Sequence, residues 1–478
     1  MSADPTPRRR FIKSAGAFGA VALAGCAGQN SDGSTNASGG DSTGTSTGSG
    51  GGSKSSQEVH FITEETTPAA KRFFNEATKQ FTEETGIPVT VEYTGLGSSM
   101  GQRISTLVQT GNAPEVALLG GYNATTYVQS ELLADVSQEV SAIEDEWSEY
   151  QDIHRLTIDG SDYIVPLHMN VAAQSYRTDL FEQAGVSPAM SFEEERQMLP
   201  QLADSLPDGM SAANFAFNSA LNGQASVEMR TEVNDVSWIG HNGNDPWSGF
   251  EIVLDKGNNR ERTIQSLNHI KEIAQYSINP NLSVADWAQS YYTGKVAIGE
   301  FGGWRPLTGA YRQNQDLANN SMGKRLAHGP SAEDPTYQTF LEGFSVMKSS
   351  GYPDAGRQFV EFMMTGDRIF GMLLNLSPLH NIPALDAMFD DDRYRNAQFM
   401  EENDVPDELL DLTKNEIKPR GLPRFQLTET PCPYIGSVQS TFALGKMAND
   451  VINGEDPETA VDQAASEMRS SLKEVMQG

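Results

Sequence analysis

The chain is predicted to be an α/β protein built on a mostly parallel sheet flanked by helices. Three observations predict it. Residues 59–119 alternate strand-like and helix-like patterns five times in succession. The 421 residues from Glu58 onward can bury a core large enough for two domains. Cys432 is the only cysteine in that stretch, so no intramolecular disulfide can substitute for core packing.

Residues 59–63 (Val-His-Phe-Ile-Thr) read as a first strand. Pro68 opens a helix whose Phe73, Ala77 and Phe81 recur at helical spacing, and Gly86 ends it. Val89, Val91 and Tyr93 alternate as a second strand. Ile104, Leu107 and Val108 mark a second helix stopped by Gly111, and residues 116–119 form a short apolar third strand. Strands spaced this way pair in parallel through right-handed helical crossovers. Ligands of such sheets bind beyond the carboxyl ends of the strands, here at Glu64-Glu65-Thr66, residues 94–99 and Gly120-Gly121-Tyr122. Residues 163–168 read as an extended crossing segment, 267–276 as a helix and 295–301 as a strand. Near the end, Asp456-Pro457 starts a helix with Ala460, Ala464, Met468 and Leu472 on one apolar stripe.

Ahead of this body stands a different kind of sequence. Arg8-Arg9-Arg10-Phe11-Ile12-Lys13, a short apolar run from residue 15 to 24 and Leu23-Ala24-Gly25-Cys26 have the order of an export signal. The paired arginines resemble a twin-arginine signal. The run into Cys26 resembles a lipobox, so that residues 1–26 form a signal with lipobox in which the leader is cut ahead of Cys26 and Cys26 carries the lipid. The apolar run is far shorter than the roughly 20 residues of a membrane span. Residues 27–57 are almost wholly Gly, Ser, Thr, Asn and Asp. Such a tract is expected to be a flexible tether reaching on the order of 30 Å.

The net charge is −30, and −33 once residues 1–25 are removed, with 30 basic against 63 acidic residues. Arginine outnumbers lysine, 21 to 13. At molar salt the Debye length falls to roughly 3 Å and the self-repulsion of such a surface largely disappears. The composition therefore resembles that of halophile proteins. No basic stripe exists to neutralise phosphates, so nucleic acid is not an expected partner.

Several segments together resemble the extracellular solute-binding proteins of ABC importers, in the large sugar-binding group that includes maltose-binding protein. Asp159-Gly160, Tyr163, Pro166, Tyr176, Asp179-Leu180-Phe181 and Ala184-Gly185 follow that group's pattern. So do Gly294-Lys295-Val296-Ala297-Ile298 with Gly302-Gly303-Trp304, the segment 354–364, and the terminal segment 452–472. Arg177 stands where the group usually has Asn, and Ser191-Phe192 where it has Thr-Trp. The resemblance implies a two-lobed periplasmic-binding-protein fold with a hinged cleft. Lobe one would comprise 58–166 and 325–365, and lobe two 167–324 and 366–478. It also implies a monomeric receptor, held outside the cell by lipid on Cys26. The receptor would deliver a sugar or oligosaccharide to a membrane permease driven by a cytoplasmic ATPase, with no reaction of its own and no cofactor.

Sugar sites need flat aromatics for stacking and side chains that both donate and accept hydrogen bonds. Residues 236–250 supply Trp238, His241, Asn242, Asn244, Asp245 and Trp247 in a loop-like stretch. Trp304, Tyr122 and Tyr434 are further stacking candidates. Glu65, His168 and Asn170 are hydrogen-bonding candidates, His168 being equally readable as a structural histidine. Trp147 and Trp287 read as packing residues.

Two other functions have a foothold. Gly97-Ser98-Ser99-Met100-Gly101 fits the hydrolase pattern G-x-S-x-G, but Ser99 stands six residues past Tyr93, too far for a sharp nucleophile elbow. Tyr291-Tyr292 is similar to the tyrosine pair of ferric-ion receptors of this fold, yet its place before Gly294-Lys295 suits packing. The seven histidines show no close metal-binding spacing, so no metal ligand is expected.

Overall fold

A computed structural model describes residues 57–95, 98–279 and 281–477. The leader, Cys26 and almost all of the proposed tether lie outside the described residues. The described residues 57–475 belong to one compact unit. Met476 and Gln477 close the last helix, Pro457–Gln477.

The first three strands form where alternation predicts them: β1 (Val59–Thr63), β2 (Val89–Tyr93) and β3 (Val116–Gly120). β1 lies between the other two and runs parallel to both, with Val59 opposite Val89 and Phe61 opposite Val116. Helix α1 (Pro68–Thr85) joins β1 to β2. The Thr67 side chain caps it by accepting from the Ala70 N–H, and Gly86 closes it in the left-handed region. Phe74 of α1 meets Phe61, and Phe81 meets Phe359 and Phe362, each at a ring separation of 5.3 Å. Helix α2 (Ser98–Gln109) makes the second crossover.

The crossing segment is longer than its apolar pattern suggests. β4 (Val165–Arg177) has 13 residues, about 43 Å of extended chain, and is buried from Val165 to Ser175. Its first half pairs antiparallel with β8 (Tyr337–Val346), which in turn pairs antiparallel with β3. Its second half pairs antiparallel with β6 (Val296–Gly302) and β7 (Ser321–Lys324). β6 also runs parallel to β5 (Ser211–Ala213). Parallel strands thus form the outer parts of both lobes, and the strands that link the lobes run against them. This is the two-lobed α/β fold the sequence implies.

The second lobe is centred on charge rather than on apolar packing alone. Arg230 is fully buried and paired with Glu195 and Glu300, which are buried too. Gln174 Nε2 and Ser226 Oγ donate to Glu300 at 2.9 and 2.8 Å, and the His269 ring meets Glu195 at 2.9 Å while stacking on Phe192. The guanidinium and the polar groups around it hold the Glu195 carboxyl well below its ordinary range despite burial.

The stretch 236–250 differs from its loop-like reading. Ile239–His241 and Phe250–Ile252 pair as a short antiparallel hairpin. Trp238, at its base, is 0 % exposed. The reason is patterning: Val236, Trp238, Phe250 and Ile252 send apolar faces into the core, while the amides between them occupy the turn.

Candidate functional site

A pocket opens where the carboxyl ends of β1 and β3 meet β4 and β8. It encloses about 420 Å³ of space, part of it open to solvent. Thr63, Glu64 and Glu65 border it from the end of β1, and Leu118 and Gly120 from β3. His168 and Asn170 come from β4, Glu342 from β8, and Arg305, His380 and Asn381 from neighbouring segments.

Backbone register sets the centre of this pocket. His168 pairs with Glu342 across the β4–β8 ladder, and Glu342 pairs with Gly120 on its other side. The register slips between Glu342 and Gly343, a bulge that bends the strand at the pocket. Gly343 belongs there for want of space: a Cβ would lie 2.2 Å from the Val165 carbonyl oxygen. His168 Nε2 lies 3.4 Å from a Glu342 carboxylate oxygen and 3.3 Å from Asn381 Nδ2. Glu65 completes the group, with one ligand atom each from Glu65, His168 and Glu342 within 4.8 Å of one another.

Burial governs the protonation of these groups. His168 is 1 % exposed, and desolvation lowers its pKa to about 3, leaving the ring neutral. Glu342 is pushed up to about 8, first by desolvation, then by the charges of Glu65 and Glu64, with Arg305 pulling the other way. Glu65 is raised as well, burial outweighing the attraction of Arg305. Burial and the mutual repulsion of these carboxyls therefore both favour holding a proton among them.

Asn170 holds the wall in place. With its amide nitrogen turned to the oxygens around it, it reaches the His380 carbonyl at 2.6 Å and Asn381 Oδ1 at 3.1 Å. The glycine before Trp304 also serves this wall. Gly303 has φ +99°, and a Cβ there would lie 2.7 Å from His380 Nδ1.

Of the eight side chains expected at the site, Glu65, His168 and Asn170 line this pocket. Tyr122 follows Gly120 by two residues and lies beneath Arg424, whose guanidinium carbon is 5.2 Å from the ring centre. Trp247 and Tyr434 come together elsewhere: the Tyr434 hydroxyl donates to the Trp247 carbonyl at 2.7 Å, and Tyr434 packs edge-on to Phe250. Trp238 and Trp304 are not brought to the pocket. Trp304 is 3 % exposed, its Nε1–H donates to Thr413 Oγ1 at 2.8 Å, and its ring packs over Gly323. A large apolar ring with one donor is stable in a core that offers one acceptor.

The pocket also gathers residues that sequence reasoning passed over: Arg305, Glu342, His380 and Asn381. Glu342 had a signal, being a lone carboxylate in the otherwise apolar run Phe340-Leu341-Glu342-Gly343-Phe344. Arg305 directly follows the Gly-Gly-Trp motif. His380 and Asn381 carried none.

The footholds for other functions are placed too. Ser99 is exposed in the first turn of α2, and among the described residues no hydrogen bond joins it to a histidine or carboxylate. Gly97 of that motif lies outside the described residues. Tyr291 is fully buried and its hydroxyl donates to Ser321 Oγ at 2.7 Å, while Tyr292 packs over Gly309. Neither tyrosine lines the pocket.

A sequence profile of the bacterial extracellular solute-binding protein family matches residues 76–401. The chain belongs to that family. A search of curated proteins gives no significant match. Among solved structures, the family member resembles maltose-bound MalE3 of T. maritima (TM-score 0.69, 13% identity, 87% of this chain and 100% of that one). It also resembles a sugar transporter from Arthrobacter chlorophenolicus A6 with bound laminaribiose (TM-score 0.67, 13% identity, 87% and 99%). A third is a putative oligosaccharide periplasmic-binding protein from Synechococcus sp. MITs9220 in complex with zinc (TM-score 0.65, 13% identity, 87% and 100%). At these identities the likeness is one of fold. Among the described residues no helix of the solute-binding protein is long and apolar enough to cross a membrane.

Proposed function

We propose that this solute-binding protein captures a sugar or oligosaccharide between its lobes and delivers it to the permease of an ABC importer. The observation that carries the reading is the polar pocket at the strands linking the lobes. There carboxyls, amides and a guanidinium supply donors and acceptors of the kind that sugar hydroxyls need. Family membership and the sugar-bound relatives of the same fold support it. The protein makes and breaks no bond in this reading, and the transport energy comes from the partner ATPase. Lobe one comprises residues 58–166 and 325–365, and lobe two 167–324 and 366–478. The lipid on Cys26 and the 27–57 tether keep a monomeric receptor beside the outer face of the membrane, and the acidic surface suits molar salt.

The test is a thermal-shift screen of the purified protein at high salt against malto-oligosaccharides, laminaribiose and monosaccharides. A ligand at a hundred times its Kd stabilises the folded state by about 2.7 kcal/mol. A melting temperature raised by one sugar class, and not raised in Arg305→Ala, supports the reading. No shift with any sugar, together with a shift by a different class of solute, overturns it.

A further inference from the structure

We propose that Glu65, His168 and Glu342 bind a divalent transition-metal ion, leaving at least one coordination position open to the pocket. The three come from the turn after β1, the middle of β4 and the middle of β8, and each offers an electron pair to the same small space. Their ligand atoms lie within 4.8 Å of one another. The 3.4 Å between His168 Nε2 and the Glu342 oxygen is close to the edge of a tetrahedron whose metal–ligand bonds are about 2.1 Å. Glu65 supplies the third donor from the turn after β1.

Two independent features favour a cation here. The side chains lining the pocket include three carboxylates, Glu64, Glu65 and Glu342, against one guanidinium, Arg305. Recognition of a neutral sugar does not require that excess. Among the described residues, the only basic group within ion-pair distance of Glu65 or Glu342 is the His168 ring. That ring is buried to 1 % exposure. Its Nε2 stands 3.4 Å from a Glu342 oxygen, a gap that one metal ion spans in place of a shared proton.

The frame is also rigid. His168 and Glu342 are registered strand partners, the bulge at Gly343 sets the bend, and the Glu65 N–H is tied to Thr63 Oγ1 at 3.1 Å. One imidazole with two carboxylates selects zinc, cobalt or manganese over calcium and magnesium, which take oxygen ligands alone.

The experiment uses the untagged full chain, stripped with chelator and free of sugar, so its outcome does not depend on the solute reading. Zn²⁺, Mn²⁺ and Ca²⁺ are titrated by calorimetry, and Co²⁺ by its visible absorption. The expected result is one saturable Zn²⁺ or Co²⁺ site per chain, with a Co²⁺ spectrum of low coordination number and much weaker Ca²⁺ binding. Glu342→Gln and His168→Gln should each weaken it at least tenfold. Glu65→Gln, at the more accessible edge, provides the same test without disturbing the strand ladder. The absence of a saturable site, or wild-type affinity in Glu65→Gln, overturns the proposal.

Discussion

His168 and Glu342 face each other as registered partners on two antiparallel strands, and their side chains meet at 3.4 Å inside the pocket. The ladder changes register immediately after this pair, at the bulge between Glu342 and Gly343. Without it, a one-residue slip would turn every side chain beyond that point to the opposite face of the sheet.

Gly343 is therefore expected to tolerate no side chain. Gly343→Ala would place its methyl group against the Val165 carbonyl, and such overpacking costs about 1–3 kcal/mol. Urea unfolding measures it. An unchanged midpoint would show that the bulge relaxes freely.

The buried charges of the second lobe should prove far more sensitive than those at the surface. Arg230→Met leaves Glu195 and Glu300 buried without their cation, and is expected to cost about 3–5 kcal/mol. Arg260→Met, which removes partly exposed contacts with Asp462 and Glu458, should cost about 1 kcal/mol or less. Parallel denaturant titrations compare the two, and equal losses would contradict the assignment.

A buried histidine sets one expected pH dependence. Desolvation, with Lys418 adding to it, lowers the His154 pKa from 6.5 to about 3. Between those values the unfolded chain binds a proton that the folded chain does not. Stability is thus fully present above pH 6.5 and falls as pH drops toward 3, by about 1.4 kcal/mol per unit. Unfolding free energies of the wild type and His154→Gln at pH 7, 6 and 5 give the check. The gap between them should narrow as pH falls, and a constant gap would count against the shift.

Trp304 is expected to act through stability rather than contact with the ligand. Trp304→Phe removes the donor to Thr413 and part of a buried ring, a loss of about 1–3 kcal/mol. Affinity for the sugar identified by the screen should stay within about twofold, since the ring does not line the pocket. A tenfold weaker affinity in a fully folded variant would place Trp304 against the ligand.

Cys432 should be inert in the folded state. It is 0 % exposed, and burial pushes its thiol up to about 12. A thiol reagent at pH 8 is expected to label it only after denaturation, and rapid labelling of the native protein would reveal local opening there.

The amino-acid sequence by itself determined the first lobe's strand–helix alternation, the crossing segment, the terminal helix with its Ala460–Met468–Leu472 stripe, and the family resemblance. These are legible because they rest on local periodicity, capping and short motifs. It also brought Glu65, His168 and Asn170 forward, each at a strand end or on the crossing strand. Only the tertiary structure decided that His168 meets Glu342, that Arg305 and Asn381 share the same wall, and that Trp238 and Trp304 belong to the core. These outcomes depend on strand register and on which face of an element is covered. Both are set by pairings between segments more than a hundred residues apart, which leave no trace in local spacing.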